Sequence, residues 1–595
     1  MVVLEAHGIS KRFAIPQPLS WLGRRHIDAL KSVSLDVEEG EVFGIVGESG
    51  SGKSTLARIL MGATRADAGA IRLYGQVFRP TDRADRRRMT QAVQMVLQDS
   101  TGTLNPRLSL ADAIAFGPWS RGAGRSEARR AAETALDRVG LPPAQFADRR
   151  PSEVSGGQRQ RVNLARAIAL EPKILFLDEP VSALDKTVQA QILNLLVALG
   201  RDLGLTMVLI SHDLDVIRYL CKRTVVMRGG EIVEQGLTEQ VFRAPQHDYT
   251  RSLLATLPRL EIAPAAEPPA ALPDVTPLLE VGDLRVNFAR RDGVTRAVRS
   301  VSISLRPGEV LAVVGESGSG KSVMLRALLG LLPPAAAVSG RIGLAGTTVA
   351  MSAPAELAQF RGRLAGMVFQ DPLGSLDPMA PIGRQLEDVV MALRRVERRQ
   401  AGAIALSLLE RVHLTGAAER YGAMPFELSG GQRQRLGIAL ALAGEPSLLL
   451  ADEPTTALDV SVQALILELL RELCAQSGIG LVLVTHDMAV AREMADRVAV
   501  MYAGRIIEEG PTDTILDAPR HPYTQALLRS YAGVRHRVSP LPSLPGAPPR
   551  LDFEPSGCAF ADRCPTAVDR CRMVPPPRVR TARGHCECVL ASTPS

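Results

Sequence analysis

The sequence has no apolar run long enough to span a bilayer, which takes about 20 mostly apolar residues. The best candidate, Leu328 to Val338, is short and broken by Pro333-Pro334. Such a chain does not form a membrane pore by itself. Its start, Met1-Val-Val-Leu-Glu-Ala-His-Gly, lacks the charged-then-apolar layout of a secretory leader. A cytoplasmic protein is expected. Aromatic residues are scarce at 4%, but apolar content is ordinary at 46%, so 595 residues suffice for cores in two or more domains. Charge is not lopsided either. A net +7 on this length is compatible with a nucleic-acid or membrane-surface partner and argues for neither. Cysteine is sparse until the end. Cys221 and Cys474 stand alone and read as packing residues; the other five lie between 558 and 588.

Two glycine loops organise what is present. Gly47-Glu48-Ser49-Gly50-Ser51-Gly52-Lys53-Ser54 and Gly315-Glu316-Ser317-Gly318-Ser319-Gly320-Lys321-Ser322 are identical in all eight residues. Both match G-x-x-x-x-G-K-[ST], the phosphate-cradling loop. Each follows a short apolar run, Val42 to Val46 or Val310 to Val314, and opens a helical pattern at Thr55 or Val323. Glycines let backbone amides approach phosphate oxygens at a helix N-terminus. Lys53 and Lys321 are placed to reach β- and γ-phosphates, and Ser54 and Ser322 to hold Mg²⁺. One such match is a moderate signal; two identical ones leave chance a poor explanation.

The duplication runs further. Lys53 and Lys321 lie 268 residues apart, Gln98 and Gln370 272 apart, and the pairs Ser155/Ser429, Asp178/Asp452 and His212/His486 each 274 apart. A near-constant offset of that size is one domain used twice. In each copy a strand ends at Gln98 or Gln370, where an amide suits Mg²⁺ and a water, although a surface polar residue at a strand end reads the same way. Helical Ala- and Arg-rich stretches follow at 108–140 and 381–414. Ser155-Gly156-Gly157-Gln158 and Ser429-Gly430-Gly431-Gln432 then each combine a helix cap with two glycines, a second anion-binding helix start. One site does not need two such devices, so each is expected to face the phosphates held by the other copy. Apolar strands next end in Asp178-Glu179 and Asp452-Glu453. The aspartates suit Mg²⁺ and the glutamates suit polarising a water. Further apolar strands end at His212 and His486, each 33 residues beyond the glutamate, placed to donate to a γ-phosphate. Short strands are expected at Val2 to Glu5 and Ala29 to Val37, with Phe13 between them; Phe13 and Phe288 either stack on a nucleotide base or fill a core.

These residues resemble the ATP-binding cassette (ABC) ATPases over 1–258 and 277–532. The resemblance implies an α/β fold with two tandem nucleotide-binding domains. Each has a RecA-like P-loop core, an antiparallel β subdomain and a helical subdomain. It implies a head-to-tail sandwich in which Lys53 and Glu179 share a site with Ser429 and Gly431, and Lys321 and Glu453 share one with Ser155 and Gly157. Both sites are expected to hydrolyse ATP. Gln370-Asp-Pro-Leu-Gly-Ser-Leu-Asp-Pro and Glu427-Leu-Ser-Gly-Gly-Gln, with His247-Asp-Tyr-Thr and His521-Pro-Tyr-Thr, are similar to the oligopeptide/dipeptide/nickel importer ATPases. Most of those are two chains; this one resembles a fused form, joined by a Pro/Ala-rich linker at 259–276.

The extension 533–595 resembles the cysteine-bearing C-terminal region of that family. Its Cys558, Cys564, Cys571 and Cys588 suit a [4Fe–4S] cluster, which the resemblance favours, or Zn²⁺. An unligated docking tail is the plain alternative, and Cys586 competes with Cys588 as fourth ligand. The expected partners are two membrane permeases, docked on the helical subdomains, and an extracytoplasmic binding protein that delivers peptide. No nucleic acid is expected. The rival is a soluble tandem ABC ATPase acting on ribosomes or DNA. The short linker and uninterrupted cassettes weigh against it.

Overall fold

The structure is a computed structural model. It describes residues 1–15, 25–98, 102–182, 184–256, 276–290, 293–456, 458–535, 538–549, 551–552, 554–581 and 584–592. The end of the first expected domain, at 257–258, and all but the last residue of the 259–276 linker lie outside them.

Each cassette has two sheets. In the first cassette the larger sheet runs Glu231–Leu237, Arg223–Arg228, Val42–Val46, Thr206–Ile210, Ile174–Asp178, Val93–Val96. All but the first of these strands run parallel. Parallel sheets are covered on both faces, so their strands are continuously apolar. Ile174–Asp178 and Thr206–Ile210 are buried at every position. Parallel strands also deliver all their C-terminal ends to one edge, where open α/β sheets bind ligands. The loop after Val46, Glu179 after Asp178, His212 after Ile210 and Gln98 after Val96 therefore share one rim.

The second cassette repeats this order with Val310–Val314, Gly480–Thr485, Leu448–Asp452 and Ala365–Val368. Each cassette adds a four-stranded antiparallel sheet against the helix that follows the glycine loop, as Leu4, Ile9 and Val37 pack with Leu56 and Leu60. Each also has a helical subdomain. Helices Leu110–Ser120 and Arg125–Arg138 sit in the first, and Ile382–Arg394 and Arg398–Arg411 in the second.

The leading hairpin departs from expectation. It is formed by Val2–Ile15 and Arg25–Glu38, with several bulges that carry both strands past the short alternating runs. Phe13 therefore lies within a strand, opposite Ile27, instead of between strands.

The C-terminal extension joins the second cassette's sheet. Gly584–Glu587 pairs with Arg505–Pro511, and Arg578–Thr581 pairs with Gly584–Glu587, making eight strands among the described residues where the first cassette has six. Before that the extension crosses to the first cassette. Asn194 and Leu541 exchange two hydrogen bonds of 2.8 and 2.9 Å, and Gln191 donates to the Leu544 carbonyl at 2.8 Å. Among the described residues no helix is long and apolar enough to cross a membrane.

Gly584 marks the close approach that lets the extension dock: a Cβ there would fall 1.9 Å from the Glu509 carbonyl oxygen. Gly584→Ala is expected to free the hairpin, making the chain cleavable by protease within the extension, beyond residue 532, while the cassettes stay folded. A digestion pattern unchanged from the parent would refute this docking.

Candidate active site

The two glycine loops sit between strand and helix as their pattern requires. Gly47 and Gly315 have φ of 150° and 152°, and a Cβ on either would lie 2.2 Å from the carbonyl oxygen of Met227 or Met501. Only glycine fits there. Lys53 and Lys321 are buried and donate to their own loops: Lys53 to the Gly47 and Glu48 carbonyls at 2.6 and 2.7 Å, Lys321 to those of Gly315 and Glu316 at 2.7 and 2.8 Å. Burial lowers the pKa of both lysines, while nearby carboxylates oppose it.

Ser54 donates to Asp178 at 3.3 Å and Ser322 to Asp452 at 2.7 Å. Burial raises the pKa of both aspartates. The second oxygen of Asp452 is buried with no hydrogen-bond partner. The Arg326 guanidinium lies 4.0 Å from it, and a hydroxyl beside such a carboxylate is a hard-oxygen donor set that fits Mg²⁺.

Each glutamate is held by a histidine and a glutamine, Glu179 through both oxygens and Glu453 through one. His212 Nδ1 lies 2.9 Å from Glu179, and Gln98 donates to the other oxygen of Glu179. In the second cassette His486 Nδ1, the Gln370 amide and the Thr456 hydroxyl meet one oxygen of Glu453 at 3.2, 3.3 and 2.9 Å. The backbone of Glu179 and Glu453 sits at φ 48° and 47°, costly for a residue with a side chain. It is pinned by amide bonds to Ile210 and Val484 on the neighbouring strands. Burial would raise both carboxyls, but the histidines win: Glu179 is lowered and Glu453 is held at about 2. Burial likewise opposes His212, and its bond to Glu179 raises it.

The cassettes meet through the aspartates that follow the glutamates. Asp185 accepts from the Ser317 amide of the second loop at 3.0 Å. Asp459 is a charged neighbour of Lys53 and His212. This reciprocity is that of a head-to-tail pair. A cavity of about 310 Å³ lies at the second loop, lined by Leu184 and Asp185 of the first cassette with Lys321, Gln370, Glu453 and His486. Ser155 and Gly157 are not among its lining residues. Ser155 and Ser429 do cap their helices, each in a reciprocal box with Gln158 or Gln432. Gly157 and Gly431 also serve packing, since a Cβ would lie 2.3 or 2.4 Å from Val188 or Val462 of the same cassette. Phe13 is exposed with the Lys11 ammonium 5.4 Å from its ring centre; Phe288 is half-buried against the second cassette's core.

One motif shows an unforeseen role. His247 and His521 accept from the amides of Tyr249 and Tyr523, fixing the turn that opens each helix. The two tyrosine hydroxyls then accept from the Glu48 and Glu316 amides at 3.2 and 2.8 Å. The His-x-Tyr segments thus brace the glycine loops from about 200 residues away.

In the extension, burial pushes the Cys558 thiol up to about 11, with Cys588, Cys571 and Cys564 adding to it. Cys586 pairs with Glu508 across the strands. Among the described residues no group of three or more His, Cys, Asp or Glu is drawn together closely enough to hold a metal ion. The thiols suit such a group by chemistry but are not gathered around one, so no step is derived through it.

A duplicated P-loop sheet with an Asp-Glu strand end, a strand-end histidine and a capped SGGQ helix defines a pair of ABC ATPase cassettes. The sequence pattern of the family described as ABC transporter matches residues 30–182 and 298–456, and the chain belongs to that family. The pattern described as oligopeptide/dipeptide transporter, C-terminal region, matches residues 233–279 and 507–571, so that region follows both cassettes. The glutathione import ATP-binding protein GsiA of Escherichia coli K12 is 39% identical over 546 residues, covering 85% of this chain and 86% of its own. The GsiA of Pectobacterium atrosepticum is 38% identical over 546 residues, covering 84% and 86%. Among solved structures, cbiO1 from Clostridium perfringens, part of the ABC transporter complex cbiONQ, is 28% identical. It covers 41% of this chain and 91% of its own, with a TM-score of 0.36. By its family and its GsiA relatives the chain is an ATP-binding subunit of the ABC importer type, homologous to the glutathione importer ATPases.

The Glu179–His212 pair sets a titration. A raised histidine pKa contributes stability below the unfolded-state value and loses it as pH climbs through the folded one; a lowered glutamate contributes above its unfolded value and loses it as pH falls through the folded one. The His212 imidazole is therefore expected to titrate above 6.5 by NMR. In Glu179→Gln its pKa should fall, because burial is then opposed only by the charges of Asp213 and Asp459. An unchanged titration would sink the pairing.

Proposed function

We propose that this chain energises a peptide importer from the cytoplasmic face of the membrane. The reading of the solute rests on one observation: the His-x-Tyr module, inside a region typical of oligopeptide and dipeptide transporters, braces both phosphate loops. ATP occupies each loop, with Lys53 or Lys321 on its β- and γ-phosphates. Ser54, Asp178 and Gln98, or Ser322, Asp452 and Gln370, would hold Mg²⁺, which neutralises phosphate charge when bound. Glu179 and Glu453 orient and polarise the attacking water, His212 and His486 fix those carboxylates and face the γ-phosphate, and Phe13 and Phe288 stack on the base. Ser429 to Gln432 and Ser155 to Gln158 close over the phosphates held by the opposite cassette.

Nucleotide binding closes the sandwich and hydrolysis reopens it. Two permeases dock on the helical subdomains, where Phe116 and Trp119 of the first, and Met379 and Phe426 of the second, stand exposed. A separate binding protein selects the solute. Glutathione, the solute named for the relatives, is itself a tripeptide and is the first to test.

The decisive measurement is ATPase activity of the full chain with its neighbouring permeases in lipid. Stimulation by a peptide-loaded binding protein supports import. Strong activity indifferent to permeases but raised by ribosomes or DNA rejects it. Glu179→Gln and Glu453→Gln should each lower turnover by about 100-fold or more; if either leaves it unaffected, the two sites do not work as a symmetric pair.

Cys558, Cys564, Cys571 and Cys588 are proposed to hold a [4Fe–4S] cluster, with Zn²⁺ the alternative ion. Support comes from the Cys558 amide, which donates to the Cys571 carbonyl at 2.7 Å and brings two of the four together. Iron with acid-labile sulfide in chain purified without oxygen would bear this out; zinc, or neither, would reject the cluster.

A further inference from the structure

The two phosphate loops are identical in sequence but not in what touches them. Glu48, in the first loop, is bonded through its backbone to Tyr249. Glu316, in the second, is buried at 3% exposure and its carboxylate meets Arg563 of the C-terminal extension. Both guanidinium ends donate, at 2.7 and 2.9 Å, in the two-pronged geometry that fixes a carboxylate in one plane. Arg563 is itself buried at 6% exposure, donates to the Pro545 carbonyl at 2.8 Å and bonds the Tyr502 hydroxyl at 3.3 Å. The same Glu316 carboxylate accepts from Thr187 of the first cassette at 2.8 Å. The extension reaches the cavity itself through Leu551, which lines it and accepts from the Arg296 amide at 2.8 Å.

The first cassette places its cation differently. There the guanidinium of Arg228 lies 4.8 Å from the ring centre of Tyr249, the tyrosine that braces the loop. The matching residue, 274 further on, is Tyr502, whose ring lies 4.5 Å from that of Tyr523. The second cassette has a tyrosine where the first has this arginine. Arg563 comes in from the extension and places a cation 5.9 Å from the Tyr502 ring, on the aromatic pair that includes the loop-bracing Tyr523.

We infer that Arg563 is a positioning residue of the second ATP site and that this site is complete only when the C-terminal extension is seated on it. Arg563 does not touch nucleotide; it acts through Glu316 on the loop amides, while Leu551 closes one wall. The inference rests on the glycine loops being nucleotide sites, and the test separates the two ideas. Binding of a fluorescent ATP analogue to the full chain is measured in Lys53→Ala, which leaves the second site, and in Lys321→Ala, which leaves the first. Binding that survives in both single variants and vanishes in the double variant establishes the sites; undiminished binding in the double variant rejects that premise and overturns the inference with it.

Given two sites, Arg563→Ala should weaken binding roughly tenfold in the Lys53→Ala chain and leave it unchanged in the Lys321→Ala chain. Arg563→Lys, which keeps charge and loses the fork, should fall between. Equal weakening at both sites would mean a general structural role, and no weakening at the second would mean no role; either overturns the inference. Should Arg563→Ala fail to fold, Glu316→Gln against Glu48→Gln repeats the comparison from the loop side. Glu316→Gln is expected to weaken the second site alone, and equal effects from the two would overturn the inference.

Discussion

Each cassette buries a lysine ammonium at the end of its central strand, and the surrounding residues answer to that charge. A cation taken out of water is costly unless it is paired and hydrogen-bonded. Two loop carbonyls meet each ammonium directly, and the aspartate and glutamate ending the next-but-one strand, with the opposite cassette's aspartate, supply the negative field. Those carboxylates are buried too, so they need partners of their own. The serine after the lysine takes one and the strand-end histidine another. The site is thus a chain of mutually compensating buried charges, and a phosphate group brings anionic oxygens to the lysine at its head.

Much of this was legible from the sequence because it is local or periodic. Apolar runs followed by Gly-rich, Asp-Glu or His punctuation give strand ends, and parallel strands gather those ends on one rim. The repeat offset paired each residue with its twin. What was not legible depends on separation. Tyr523 reaches Glu316 across 207 residues and Arg563 reaches it across 247. No period or composition announces such a contact. The hairpin of the extension was missed for the same reason, since Arg578–Thr581 and Gly584–Glu587 are four-residue strands that exist because an open edge at Arg505–Pro511 receives them. Phe13 was misplaced because bulges carry its strand beyond the alternating run.

The twins have also drifted apart. Lys186 of the first cassette sits where the second has Val460. It pairs with Asp213 at 3.2 Å. Burial would lower its pKa, but Asp213, Asp487 of the other cassette and Asp215 hold it raised. Asp213 and Asp487 each cap the helix after a strand-end histidine. One cation therefore answers anions of both cassettes at their shared boundary, while the extension serves the second loop alone. Identical phosphate loops sit in unequal frames.

The reach of Arg563 has a temporal side. During synthesis it leaves the ribosome 247 residues after Glu316. At 5–20 residues per second that is roughly 12 to 50 seconds, long compared with the folding of a domain. The first cassette can fold and bring its own Arg228 to Tyr249 without waiting. The second holds an acidic loop in wait for its counter-ion. A nascent chain in that interval has one finished phosphate loop and one provisional one, so maturation of the pair is ordered from first cassette to second.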